Sequence, residues 1–143
     1  MNRMFGSVNE IIQFYHTFDR YANHSFEELY QHISPSVRNN NYHTFREANQ
    51  VYGFANWAFV SDIVLERFMQ NGHLSTMDWM SGANLLYVDV VADHSVAKIM
   101  KWLRDHSVRT AGIGTKIYWA RSTANKIKRI TKQTTKEHWL WER

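Results

Sequence analysis

The chain has 143 residues, 44% of them hydrophobic and 15% aromatic, which is enough to bury a core and too apolar for a disordered chain. It contains no Cys, which excludes disulfides, a thiolate nucleophile and a zinc–thiolate site. The net charge of +4 is uneven: residues 1–100 carry 6 Lys/Arg and 10 Asp/Glu, whereas residues 101–143 carry 11 and 3. The opening stretch, MNRMFGSVNEIIQFYHTF, lacks an uninterrupted apolar run followed by a small-residue cleavage site, so no signal peptide is expected. No window of about 18 apolar residues occurs, so no membrane span is expected, and the location expected is cytoplasmic.

Val8, Ile11, Ile12 and Tyr15 recur at helical spacing and predict a helix over residues 8–20. A second helix opens at Ser25, which forms an S-x-x-E capping box with Glu28; Phe26, Leu29, Tyr30 and Ile33 supply its apolar face. Ser34-Pro35 is expected to end it. Residues 41–48 and 50–60, bounded by NNN and ANQ, read as a strand pair. Ser61 opens a third helix, with Asp62 in its first turn and Gly72 just past its end. A loop or short helix then leads to a strand over residues 84–92. Val96, Ile99, Met100 and Leu103 line one side of a helix over residues 94–106. RTAGIGTK (109–116) reads as a turn between two strands, residues 115–122 as a strand, and ANKIKRITKQTTKEHW as a basic helix.

The order α-α-β-β-α-β-α-β-α predicts an α/β or α+β fold with a mixed sheet flanked by helices. No linker or internal repeat divides it, so one domain over residues 1–143 is expected, with a basic C-terminal segment, 116–143.

The candidate for chemistry is Asp89, in the apolar run LLYVDVVA. Tyr87 and Val91 share its face of the strand, while Val88 and Val90 point the other way; both faces are apolar, so the strand reads as central. Burial raises a carboxylate's pKa and a cationic partner lowers it. A purely structural Asp, held by a backbone N–H or an Arg, is the commoner case for a buried acid and fits the composition slightly better. Among the eight His residues, His24 precedes the second helix, where the helix dipole favours a neutral imidazole suited to a general base; the plainer reading is a solvated residue at a helix start. No G-x-S-x-G, H-E-x-x-H or complete phosphate loop occurs, and no metal site is expected. The segment KIYWARSTANKIKRITK interleaves aromatics with cations, as single-strand nucleic-acid binders do, although alternate strand residues face opposite ways and place Tyr118 or Trp119 in a core.

YGFANWAFVSD (52–62) and LSTMDWMSGANLLYVDVVA (74–92) resemble the RTX toxin-activating (haemolysin-activating) lysine acyltransferase family. That family's pattern runs like V-A-x-x-x-W-A-x-L-S, then D-W-x-S-G-x-x-x-W-F-[IV]-D-x-[IV]-A-P. The matching residues are Trp57, Ala58, Ser61, Asp78, Trp79, Ser81, Gly82, Val88, Asp89 and Ala92, with no gap from Asp78 to Asp89. Residues 124–133 also look like the family's C-terminal segment. The resemblance implies a fold like the GCN5-related N-acetyltransferases. It implies transfer of a fatty acyl group to a lysine of a protein, with acyl carrier protein, or else acyl-coenzyme A, as co-substrate and no bound cofactor. It places the catalytic aspartate at Asp89. The family's catalytic histidine falls on Tyr21 in a gapless extension and on His24 if three residues are deleted; His24, an imidazole beside the helix start, is the expected base. The Pro that ends the family's strand motif is replaced by Asp93.

On the same resemblance, Trp57, Trp79, Ser81 and Tyr87 are expected to bind substrate, the aromatics by lining an acyl groove. Lys116, Arg121, Lys126, Lys128, Arg129 and Lys132 are expected to dock the acidic carrier protein. Two other readings stand beside this one. One is a catalytically silent relative kept as a binding module, with a homodimer open to it. The other is nucleic-acid binding through residues 116–136.

Overall fold

The computed structural model describes residues 3–123 and 126–133, with side chains described for residues 7–119. Helix α1 (Arg3–Tyr15) turns Val8, Ile11, Ile12 and Tyr15 to one side, all at most 2% exposed. A 3-10 turn (Asp19–Tyr21) leads to α2 (Phe26–Arg38). The capping box forms as its sequence predicts: the Glu28 N–H donates to Ser25 Oγ, and the Ser25 N–H to Glu28 Oε1.

Pro35 does not end α2. A proline within a helix removes one N–H donor, and here the flanking buried residues Ile33, Ser34, Ser36 and Val37 hold the chain helical through it. The stop lies at Asn40, whose φ of 57° is left-handed. The Asn41 N–H then reaches Ser36 O and the Asn40 N–H reaches Val37 O, the paired bonds of a Schellman end.

Strands β1 (Tyr42–Glu47) and β2 (Gln50–Val60) pair antiparallel around a two-residue turn, with a register shift between Phe45 and Arg46. Both turn residues, Ala48 and Asn49, have positive φ, as this hairpin type requires. Helix α3 (Asp62–Asn71) is capped by Ser61 Oγ and stops at left-handed Gly72, as expected. A 3-10 turn (Thr76–Asp78) precedes β3 (Asn84–Ala92), followed by α4 (Val96–Ala111), β4 (Lys116–Thr123) and β5 (Lys126–Gln133).

Two expectations fail here. Residues 126–133 form a strand rather than a helix, paired antiparallel with β4 from Thr123↔Lys126 to Lys116↔Gln133. Ile127 and Ile130 are spaced as on a helix, but β-branched residues beside a partner strand pair instead; residues 124–125 and 134–139 of that expected helix lie outside the described residues. The segment 109–116 joins a helix to a strand, not two strands, turning through Gly112 and Gly114 at positive φ.

Among the described residues the strand order is β1-β2-β3-β4-β5, with β3 third of five as its apolar faces predict. The sheet is mixed: β3 runs parallel to β4, and that ladder covers Leu85–Tyr87 against Ile117–Trp119. Mixed α/β is the class expected, consistent with a GCN5-related N-acetyltransferase-like fold.

The chain divides into two compact units. The first comprises residues 1–56 and 89–94, with a core of Val8, Ile11, Ile12 and Tyr15 from α1, Leu29 and Ile33 from α2, Phe54 and Val91. Each such side chain, once buried, contributes about 1.5–3 kcal/mol. The second comprises residues 57–88 and 95–143; Ala58, Val60, Val64, Leu65, Phe68, Trp79 and Leu86 cluster in it. Among the described residues no helix is long and apolar enough to cross a membrane.

Candidate active site

In the first unit the backbone of Asp89 is fixed before its carboxylate makes any contact. Its N–H donates to Asn56 Oδ1 at 2.9 Å, the fully buried Asn56 amide donates to Ser36 Oγ at 3.0 Å, and that hydroxyl donates to Ile33 O at 2.8 Å. A buried amide satisfied at both ends ties β3, β2 and α2 together at this point.

The carboxylate then accepts two short hydrogen bonds on one oxygen. Tyr15 Oη donates to Oδ2 at 2.6 Å, and His32 Nε2 meets the same Oδ2 at 2.6 Å. The Tyr15 ring packs edge-on to Phe54 (centroids 5.8 Å apart) and against Tyr21 (4.9 Å). The Arg20 guanidinium lies 4.8 Å above the Tyr21 ring. The Asp89 side chain is 13% exposed and that of His32 41%, so the carboxylate is enclosed while its imidazole reaches solvent.

The electrostatics follow from this arrangement. Burial pushes the Asp89 carboxyl up, but the His32 charge and hydrogen bond, the Tyr15 hydroxyl and the Arg20 charge together hold it below its ordinary 3.8. The Asp89 charge raises His32 above its ordinary 6.5, against an opposing effect of burial and with help from the hydrogen bond. Burial first, and then the Asp89 charge, push Tyr15 well above 10. The same two causes, in the same order, take Tyr21 to about 12.

The histidine on Asp89 is therefore His32 and not the expected His24. His24 sits before the Ser25 cap, exposed; its carbonyl accepts from His16 Nε2 at 2.9 Å and its ring lies 5.5 Å from that of Tyr21. His32 lies eight residues further, at the middle of α2. Leu29, His32, Ile33 and Ser36 follow i, i+3, i+4, i+7 spacing, so the imidazole stands at the edge of the buried stripe of α2. A titratable side chain on that stripe was the sequence signal for it. Tyr21, the gapless alternative, contributes a ring against Tyr15.

The residues expected to bind substrate pack within the second unit. Trp57 is 6% exposed and lies 4.0 Å from the His106 ring; Tyr87 is 2% exposed, its hydroxyl bonded to His106 Nδ1 and Ser107 Oγ, both at 2.8 Å. Trp79 is 3% exposed in the core cluster. All three rings are buried: Trp57 and Tyr87 lie against Trp102, His106 and Ser107 of α4, and Trp79 lies in the cluster with Val64, Leu65 and Phe68 of α3. Ser81 is held within the motif: its hydroxyl donates to Asp78 O at 2.7 Å and accepts the Ser61 N–H at 3.1 Å.

Asp78 accepts from the Ser75 N–H at 2.8 Å and from Arg67 Nη2, and its carboxyl, pushed up by burial, is held below 3.8 by those bonds. A Cβ on Gly82 would lie 2.5 Å from the Ser61 backbone, so only glycine fits there. The D-W-x-S-G stretch is thus a clasp that joins the loop before β3 to the end of β2.

In the first unit a depression of about 290 Å³ is lined by polar side chains, among them Glu10, His43, Thr44 and Arg46, with Glu10 and Arg46 paired. That lining does not suit an acyl chain. Of the expected docking cations, Lys116 is exposed at the start of β4. Arg121 pairs in register with Lys128, while Lys126, Arg129 and Lys132 follow on β5; the side chains of these five lie outside the described residues.

A family model described as the RTX toxin acyltransferase family matches residues 1–134. No curated protein matches the chain.

Proposed function

This chain belongs to the RTX toxin acyltransferase family, and on that premise we propose that it moves a fatty acyl group from acyl carrier protein to a lysine side chain of a protein, with His32 as general base and Asp89 as its partner. The observation that carries the reading is the 2.6 Å hydrogen bond between His32 and the aspartate of the family-like motif.

The chemistry is amine attack on a thioester. The lysine Nζ forms a bond to the thioester carbon, the carbon–sulfur bond breaks, and the thiol leaves. The attacking amine must lose a proton, which the imidazole accepts and then returns to the leaving sulfur. Asp89 stabilises the imidazolium formed between those events and orients the ring. Such base catalysis contributes about 10²–10⁴-fold in rate. The Asp89 charge that raises the His32 pKa also makes the neutral ring a stronger proton acceptor.

Acyl carrier proteins are acidic, which gives the excess of 11 basic over 3 acidic residues in 101–143 a purpose as a docking surface. Acyl-coenzyme A is the alternative donor. A cytoplasmic location fits a carrier-protein donor. The catalytically silent reading would gain from an Asp89 with no imidazole beside it, and His32 stands there.

The test is a mass measurement. Acyl-loaded carrier protein, the chain and a protein acceptor should together give an acceptor heavier by one acyl group on lysine. The gain should disappear with Asp89→Asn and with His32→Gln. Full transfer by either variant would refute the site, and transfer from acyl-coenzyme A alone would change the donor.

A further inference from the structure

We propose that Tyr15 is a positioning residue that holds the Asp89 carboxylate against His32 Nε2, so that the carboxylate sets the tautomer and Nδ1 is the atom that takes the lysine proton. The two hydrogen bonds on Asp89 Oδ2 carry this inference. An ionised carboxylate oxygen only accepts. Tyr15 donates to Oδ2 at 2.6 Å from a side chain with no solvent exposure, so its proton stays on the phenol and points at the carboxylate. His32 Nε2, at 2.6 Å from the same oxygen, must then donate as well. A neutral ring with its hydrogen on Nδ1 would set the Nε2 lone pair against those of Oδ2, which is repulsive. The neutral imidazole is therefore the Nε2–H form, and Nδ1 is left basic.

Tyr15 also prevents the carboxyl from turning. Its ring is held by Phe54 and Tyr21, and Asp89's own N–H is held by Asn56. Oδ2 is thus pinned from α1 and the Asp89 backbone from β2, while α2 delivers the imidazole. The titratable and charged groups facing this pair are Tyr15 from α1, Arg20 and Tyr21 from the 3-10 turn, and His32 and Asp89 themselves; Asn56 from β2 is neutral. Of these, only Tyr15 and His32 hydrogen-bond to the carboxylate.

As a positioning residue for acyl transfer, Tyr15 depends on the reading given above; the tautomer of His32 does not. The experiment therefore pairs a measurement without substrate with one that needs it. Nitrogen-15 NMR of the full chain follows His32 through a pH titration, in the native protein and in Tyr15→Phe, which keeps the ring. The native protein should show the Nε2–H tautomer when neutral. In Tyr15→Phe the carboxylate charge is no longer shared with a phenol, so the His32 titration should move to higher pH by about half a unit. The acid limb of kcat/KM for acyl transfer should move with it, with kcat down by about 10-fold and KM little changed.

A native Nδ1–H tautomer would overturn the proposal without any variant. So would a His32 titration unchanged in folded Tyr15→Phe. The expected tautomer and shift without acyl transfer from any donor would uphold the role of Tyr15 at His32 and refute the acyltransferase reading.

Discussion

Asp78 and Asp89 are two carboxylates with almost the same enclosure and opposite employment. Their side chains are 12% and 13% exposed, and those of their partners, Arg67 and His32, 42% and 41%. Both are held below the ordinary carboxyl range despite burial. Burial therefore does not separate them; the partner does. Arg67 is a permanent cation, so Asp78 has one charge state to stabilise and serves as a clasp. His32 can gain and lose its proton, so Asp89 faces a group whose charge can come and go. A perturbed acid becomes a candidate for catalysis when the group that perturbs it can itself titrate.

The contrast breaks most sharply under substitution. Asp89→Asn should keep the fold and lower acyl transfer by about 10³-fold or more, because the amide cannot stabilise an imidazolium. His32→Gln should cost a similar or slightly smaller factor, measured by the same mass gain on the acceptor, while His24→Ala should leave transfer unchanged. Gly82→Ala should act on stability alone, at about 3 kcal/mol, since its Cβ meets backbone rather than a movable side chain; thermal unfolding would show it. Asp78→Asn should be milder, about 1–2 kcal/mol, because Arg67 is partly solvated and keeps water as a partner. Equal loss of transfer in Asp78→Asn and Asp89→Asn, at equal folded fraction, would abolish the distinction.

pH sharpens it further. His32 is raised in the folded state, so its stabilising contribution is complete below about 6.5 and fades as pH rises through its higher folded value. Asp89 is lowered, so its contribution is present above its unfolded value and is lost as pH falls through the folded one. The rate behaves differently: it should rise as His32 loses its proton. Through that one titration, stability and activity run in opposite directions. Unfolding temperature against pH, for the native chain and Asp89→Asn, should differ most between the titrations of Asp89 and His32 and narrow above that of His32, where the Tyr15 bond to the carboxylate still remains.

Much of this was legible in the residues, and for physical reasons. The stripe of α1, the Ser25–Glu28 box, the Ser61 cap and the Gly72 stop are local signals that tertiary packing did not override. Asp89 on the middle strand followed from a charge in an apolar run. What was lost depended on partners distant in the chain. Ile127 and Ile130 fit a helix until β4 supplies backbone groups to pair with. Pro35 ends a helix only where nothing else holds it, and the buried residues on either side do. Trp57 and Trp79 are in the motif and Tyr87 stands two residues before Asp89, but that all three rings are buried depends on α3 and α4, which the motif does not show. His32 needed both the helix phase of α2 and the position of Asp89, and only the first can be read locally.

The capping box at the head of α2 has a consequence for how the base is kept ready. An imidazole on the segment from Thr17 to Ser25 would have to be ordered along with that segment. On α2 it is ordered once, when the helix folds, and the entropy of its backbone is spent there and not at each turnover. The choice between Tyr21 and His24 turned on whether three residues were missing from that segment. With the base on a capped helix beyond it, the length of the segment ceases to set the geometry of the reaction, and its residues are free to serve Tyr15 and the surface.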